Sequence, residues 1–140
     1  MKKKPAEEVR RRRVFVLDSE ALSLAVRGDR MMIARLDLAA RGEAEVVTSP
    51  MTLVEAYDAR TTEQRWDWVL SRVNVAELGK DEARQARRLL ADAGLHGHKY
   101  AIDAVLAVVA LRQRGQVTVF TSDPEDLERL LPEHVVVMKV

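Results

Sequence analysis

The sequence predicts an α/β protein, a three-layer sandwich around a central parallel sheet of about five strands. Three observations carry that prediction. Short runs of β-branched and apolar residues recur five times along the chain. Between them lie longer segments with apolar residues at helical spacing, and Gly, Ser-Pro and Asp-Pro signals start or stop those segments.

The elements follow in order. Val14 to Leu17, VFVL, is apolar throughout, as expected of a parallel strand buried on both faces, and it ends on Asp18. Ser19 to Arg27 carries Leu22 and Val26 at helical spacing and is broken by Gly28, after which Asp29 can cap a second helix reaching about Arg41. Glu45 to Thr48 is the second strand. Ser49-Pro50 then starts a helix predicted to run to about Arg60, with Leu53, Val54 and Tyr57 as its core face. Thr61 and Thr62 open a helix carrying Trp66, Val69 and Leu70, and Val73 to Val75 is a weak third strand. Lys80 to Ala93 is a charged amphipathic helix ended by Gly94. The next helix is the centre of the pattern, with Ile102, Val105, Leu106 and Val109 at i, i+3, i+4 and i+7. After Gly115 come a strand from Val117 to Phe120, a short helix from Asp123-Pro124 to Leu131, and a last strand from Val135 to Met138.

The length of 140 residues suits one domain with a real core, so one site is expected. Hydrophobic content of 47% and charged content of 32% fit a globular chain and exclude disorder as its main state. No apolar run approaches the ~20 residues of a membrane helix. The absence of cysteine removes thiol nucleophiles, disulfides and cysteine-ligated zinc, and agrees with a cytoplasmic location. The net charge of +1 hides an asymmetry, because residues 1–13 carry seven Lys or Arg against two Glu while residues 14–140 carry 16 against 20. A basic, flexible N-terminal arm therefore precedes a mildly acidic body at 14–140. The arm suits phosphates or an acidic partner, and a frayed, solvated terminus explains it as well.

The acids carry the chemistry. Asp18 ends the first strand, Glu55 lies about a turn into the helix after the second, Asp103 lies in the first turns of the helix before the fourth, and Asp123 ends the fourth. Each has an ordinary explanation: Asp18 and Asp123 as helix caps, Glu55 as a solvated glutamate, Asp103 as half of a buried ion pair with arginine. Together they point to one rim of a parallel sheet, where the functional crevice lies. Four carboxylates crowd together only if cations neutralise them. Hard oxygen donors without His or Cys suit Mg2+ or Mn2+, and the chemistry such a site performs is phosphodiester hydrolysis.

At these residues the chain resembles a family. VFVLD, SPMTLVEAYD, YAIDAVLAVVAL and TSDPEDL look like the four acid-bearing motifs of PIN-domain ribonucleases, with small VapC-type toxins nearest in size. The resemblance spans residues 14–140 and rests on order and spacing. It implies Asp18, Glu55 and Asp103 as central metal-binding acids and Asp123 as the fourth, with Asp126 beside them. It also implies that Ser19, Thr121 and Ser122 hold the cluster through hydrogen bonds. The activity implied is a metal-dependent endoribonuclease acting on RNA, a homodimer that a cognate antitoxin inactivates by directing an arginine or lysine at the acids. Glu20 departs from the family pattern, as a fifth carboxylate or a solvated one, and so does the basic arm.

Two other classes remain. A PIN-like binding or scaffold module would keep the fold without cleavage. A phosphorylation-driven receiver domain needs paired acids at the first strand and a lysine after the last, whereas Asp18 stands alone and Lys139 falls in the final strand. Lesser signals are His96 and His98 before the central helix, Trp66 and Trp68 on opposite helix faces, and an Arg84, Arg87, Arg88 row. Solvent contact for the histidines, core plus a partner contact for the tryptophans, and a solvated face for the arginines are the ordinary readings.

Overall fold

A computed structural model describes residues 12–140. The strands are β1 Arg13–Leu17, β2 Glu45–Thr48, β3 Asn74–Val75, β4 Gln116–Thr121 and β5 Val136–Lys139. The helices are α1 Ser19–Val26, α2 Arg30–Ala40, α3 Pro50–Glu55, α4 Glu63–Leu70, α5 Lys80–Ala93, α6 Gly97–Leu111 and α7 Pro124–Leu130. Arg13, counted with the arm by its charge, is instead the first residue of β1. Residues 1–11 of the basic arm, with its expected flexibility, lie outside the described residues, and Arg12 pairs with Glu45 at 3.1 Å.

All strand pairs are parallel and the order is β3-β2-β1-β4-β5. The chain builds outward from β1 to one side, then crosses to the other for β4 and β5. The strand order therefore reverses between β1 and β4, and the carboxyl ends of those two strands frame the crevice. Leu17 pairs with Phe120 in the last register position, which brings Asp18 and the residues after Thr121 to the same rim.

The period-two pleat of β1 divides the core. Val14 and Val16 face one side, packed under α5, α6 and α7, while Phe15 and Leu17 face the other, under α1, α2 and α4. Leu17, Leu22, Leu106 and Leu127 are fully buried, and each such side chain contributes roughly 2 kcal/mol by leaving water. Arg65 donates from Nε to the carbonyl of Val26 at 2.9 Å, satisfying a carbonyl at the end of α1 and locking α4 against it. Trp66 joins the core as expected. Trp68 is partly buried, and the Arg65 and Arg72 guanidinium groups lie over its ring, 4.7 and 4.2 Å from its centre.

The helix expected to reach Arg60 ends at Glu55. Asp58 captures the backbone N–H of Arg60 at 2.9 Å and its guanidinium at 2.7 Å, a local turn that outcompetes helix continuation. Of the face expected to be core, Leu53 does pack against the core, partly buried, but the other two residues do not. Val54 and Tyr57 are 69% and 76% exposed, and Thr52 and Ala56 are the inward residues.

Candidate metal centre

The crevice between β1 and β4 holds a cavity of about 250 Å³ lined by five carboxylates, Asp18, Glu55, Asp103, Asp123 and Asp126. Each arrives from a different local device. Asp18 follows β1 and does cap α1, its Oδ1 accepting from the Ala21 N–H at 2.8 Å. Its other oxygen, Oδ2, accepts from the Ser122 N–H at 3.0 Å, so the carboxylate is held from both sides of the switch point. Asp123 stands at the cap position of α7 but its side chain makes no cap bond, leaving it to the cavity. Glu55 is the last residue of α3 and exposed, whereas Asp103 lies in the second turn of α6, half-buried. None of the ion pairs among the described residues involves Asp103.

Thr121 ties the rim together. It is buried, its Oγ1 accepts from the Asp123 N–H at 3.0 Å, and its hydroxyl also serves Asp18. Ser122 contributes through its backbone N–H, and Ser19 lines the cavity.

The electrostatics follow from burial and crowding. Asp103 is pushed up to about 6, first by burial, then by Asp126, Glu55, Asp123 and Asp18 around it. Burial also raises Asp18, opposed by its hydrogen bonds from Ala21, Thr121 and Ser122. Asp126 is raised by desolvation and by a hydrogen bond with the Asp123 carboxyl.

The donor set is entirely hard oxygen, which fits a divalent cation of the magnesium or manganese type. One further observation fits it. Thr52 is fully buried, lines the cavity, and its Oγ1 has no hydrogen-bond partner. Thr52 went unnoticed in the sequence, although it lies three residues before Glu55 and so shares its helical face. Among the described residues no three acid or histidine side chains already stand as a finished ligand set. An ion would have to draw them together. His96 and His98 are exposed and do not line the cavity, and Glu20 pairs with Arg27 at 2.9 Å.

A family model described as PIN domain matches residues 15–130. No curated protein matches the sequence. Among solved structures, the fold is similar to VapBC2 from Rickettsia felis bound to a DNA fragment from their promoter. The two share 14% identity with a TM-score of 0.63, over 91% of this chain and 98% of that one. It is also similar to PAE2754 from Pyrobaculum aerophilum, at 18% identity and a TM-score of 0.60, over 89% and 91% of the two chains.

Proposed function

We propose that this chain, which belongs to the PIN-domain family, is a Mg2+- or Mn2+-dependent endoribonuclease, the cytoplasmic toxin of a toxin–antitoxin pair. The observation that carries the reading is the cavity at the β1/β4 switch point, where five carboxylates converge and the most central, Asp103, has no cationic partner among the described residues. Asp18, Glu55, Asp103 and Asp123 would hold the ion, with Asp126 beside them. The ion supplies Lewis-acid stabilisation of a phosphate under attack by water.

The chain's own residues supply position. Two backbone N–H donors fix both oxygens of Asp18, and Thr121 fixes the backbone of Asp123. Glu55, exposed at the end of a six-residue helix, is free to swing toward a bound ion. Ile102 and Leu106 wall the inner side and restrict water there. No helix among the described residues is long and apolar enough to cross a membrane. Exposed Met51, Val54 and Tyr57 give a homodimer an apolar face on and just beyond α3. A cognate antitoxin would act by placing an arginine or lysine among the acids.

The test is cleavage of a mixed pool of structured RNAs by the full chain with Mg2+ or Mn2+, with EDTA, and by D103N. Discrete fragments that vanish with EDTA and in D103N are expected. The incomplete ligand set favours one competing reading, a PIN-like binding module, and absence of cleavage together with absence of metal uptake would establish it.

A further inference from the structure

At the end of α1 farther from the acidic cavity lies an open groove of about 460 Å³ lined by Arg27, Arg60 and Arg65, with Asp58 the only acid in its wall. We propose that this groove is the track along which the phosphates of the RNA strand leave the cavity. The proposal rests on the nuclease reading and adds to it where the substrate lies.

Continuity comes first. Arg27 caps the end of α1, and its guanidinium reaches back along that helix to Glu20 at 2.9 Å. Glu20 is two residues from Asp18 and close enough to raise it. The opposite wall, Asp58 to Thr62, begins three residues after Glu55. No residue lines both, but the cavity takes Asp18 and Ser19 at the start of α1 and Glu55 at the end of α3, while the groove takes Arg27 at the end of α1 and the segment that follows α3.

Charge supplies the second argument. A rim of five carboxylates repels a phosphate chain, so a strand approaching the cavity gains from cations flanking it. The arginines differ usefully in mobility. Arg65 is immobilised by the Val26 carbonyl at 2.9 Å and by the Trp68 ring beneath it, so it loses little freedom on meeting a phosphate. The side chains of Arg27 and Arg60 are 56% and 87% exposed and can turn toward the strand. Asp58 engages Arg60 through Nε and Nη2, and none of the hydrogen bonds among the described residues uses its Nη1. The competing arginine row, Arg84, Arg87 and Arg88, sits on α5 in the other helix layer and does not border the groove.

The experiment is steady-state cleavage of a 12-nucleotide single-stranded RNA by the full chain in Mn2+, across a salt series. In R27Q/R60Q the KM rises about tenfold while kcat moves less than about twofold, and the slope of log KM against log salt falls by about 1.4, or ~0.7 per phosphate contact. R60Q alone, which leaves Glu20 paired, shows about half that slope change. D58N, which releases Arg60, lowers KM by about threefold, and R84Q/R88Q matches wild type. Equal KM and salt slope in wild type and R27Q/R60Q overturn the groove and leave the nuclease standing. If wild type cleaves nothing, the nuclease reading fails on its own. Fluorescence anisotropy of the same intact RNA then decides the groove, which stands if R27Q/R60Q binds about tenfold more weakly and falls if it binds equally.

Discussion

Of the four carboxylates that push Asp103 upward, Asp126 pushes hardest. The two come from different elements, α6 and α7, which pack against each other and bring both carboxylates to the cavity. Replacing Asp126 with Asn should therefore lower the Asp103 pKa from about 6 toward the ordinary carboxylate range. Carboxyl-detected NMR titration reads this directly, and an unmoved Asp103 would mean that burial and the other three carboxylates set its value. Adding Mg2+ to wild type should move it in the same direction and further.

The same shift makes stability depend on pH. Asp103 keeps its proton to about pH 6 in the folded chain against an ordinary value of 3.8, so the folded state binds more protons across that window. Its contribution to stability consequently falls as pH rises from about 4 through 6 and is least above it. In EDTA at pH 7, D103N should be more stable than wild type by about 1 kcal/mol, a figure discounted because solvent in the cavity screens part of the repulsion. Urea unfolding at pH 7 and pH 5 checks it, with the difference shrinking at the lower pH. A saturating divalent ion should reverse the order, stabilising wild type by about 2.7 kcal/mol at a hundredfold excess over Kd and D103N far less.

Thr52 and Thr121 make a contrasting pair of buried hydroxyls. Thr121→Val strips a donor from Asp18 and an acceptor from the Asp123 N–H, and should cost about 1–3 kcal/mol while weakening metal affinity. Thr121→Ser should restore most of both. Thr52→Val removes a hydroxyl that has no partner, so it should leave the metal-free protein as stable or about 1 kcal/mol more so. It should still weaken ion binding if that oxygen serves the ion or its water. Thermal melts with and without Mg2+ separate the two effects.

The apolar face at α3 gives an oligomer prediction. Val54→Lys with Tyr57→Glu places charge on two positions that are already mostly exposed, so the fold should persist while a dimer built on them dissociates. Light scattering at matched concentration should show the mass halving with the far-UV circular dichroism unchanged. Equal masses for variant and wild type would overturn a dimer on this face.

Much of the site was legible in the chain because strand ends and helix starts are local events. The VFVL run ending in Asp18, and the TSDP turn with Asp123, fix those acids at strand termini whatever else the chain does. Asp103 was legible for a different reason, a carboxylate set in the most apolar helix of the chain, where solvation alone cannot satisfy it. Three features were not legible. The length of α3 depended on Asp58 winning the Arg60 N–H from the helix, a contest between two local options that composition does not decide. The fate of Trp68 depended on two arginines stacking over it. The weight of Asp126 depended on the path of the turn after β4.

The sequence by itself determined the number and type of elements, the division of β1 between two helix layers, and the residue types available for an oxygen-only site. Those follow from periodicity and from the cost of burying unpaired polar groups, which act over a few residues. Only the tertiary structure decided the strand order β3-β2-β1-β4-β5, and with it which carboxylates share one cavity. It also decided that Arg27, Arg60 and Arg65 gather in one groove at the end of α1. Repulsion between carboxylates and convergence of arginines depend on through-space distance, and that distance is set by how helices and strands dock.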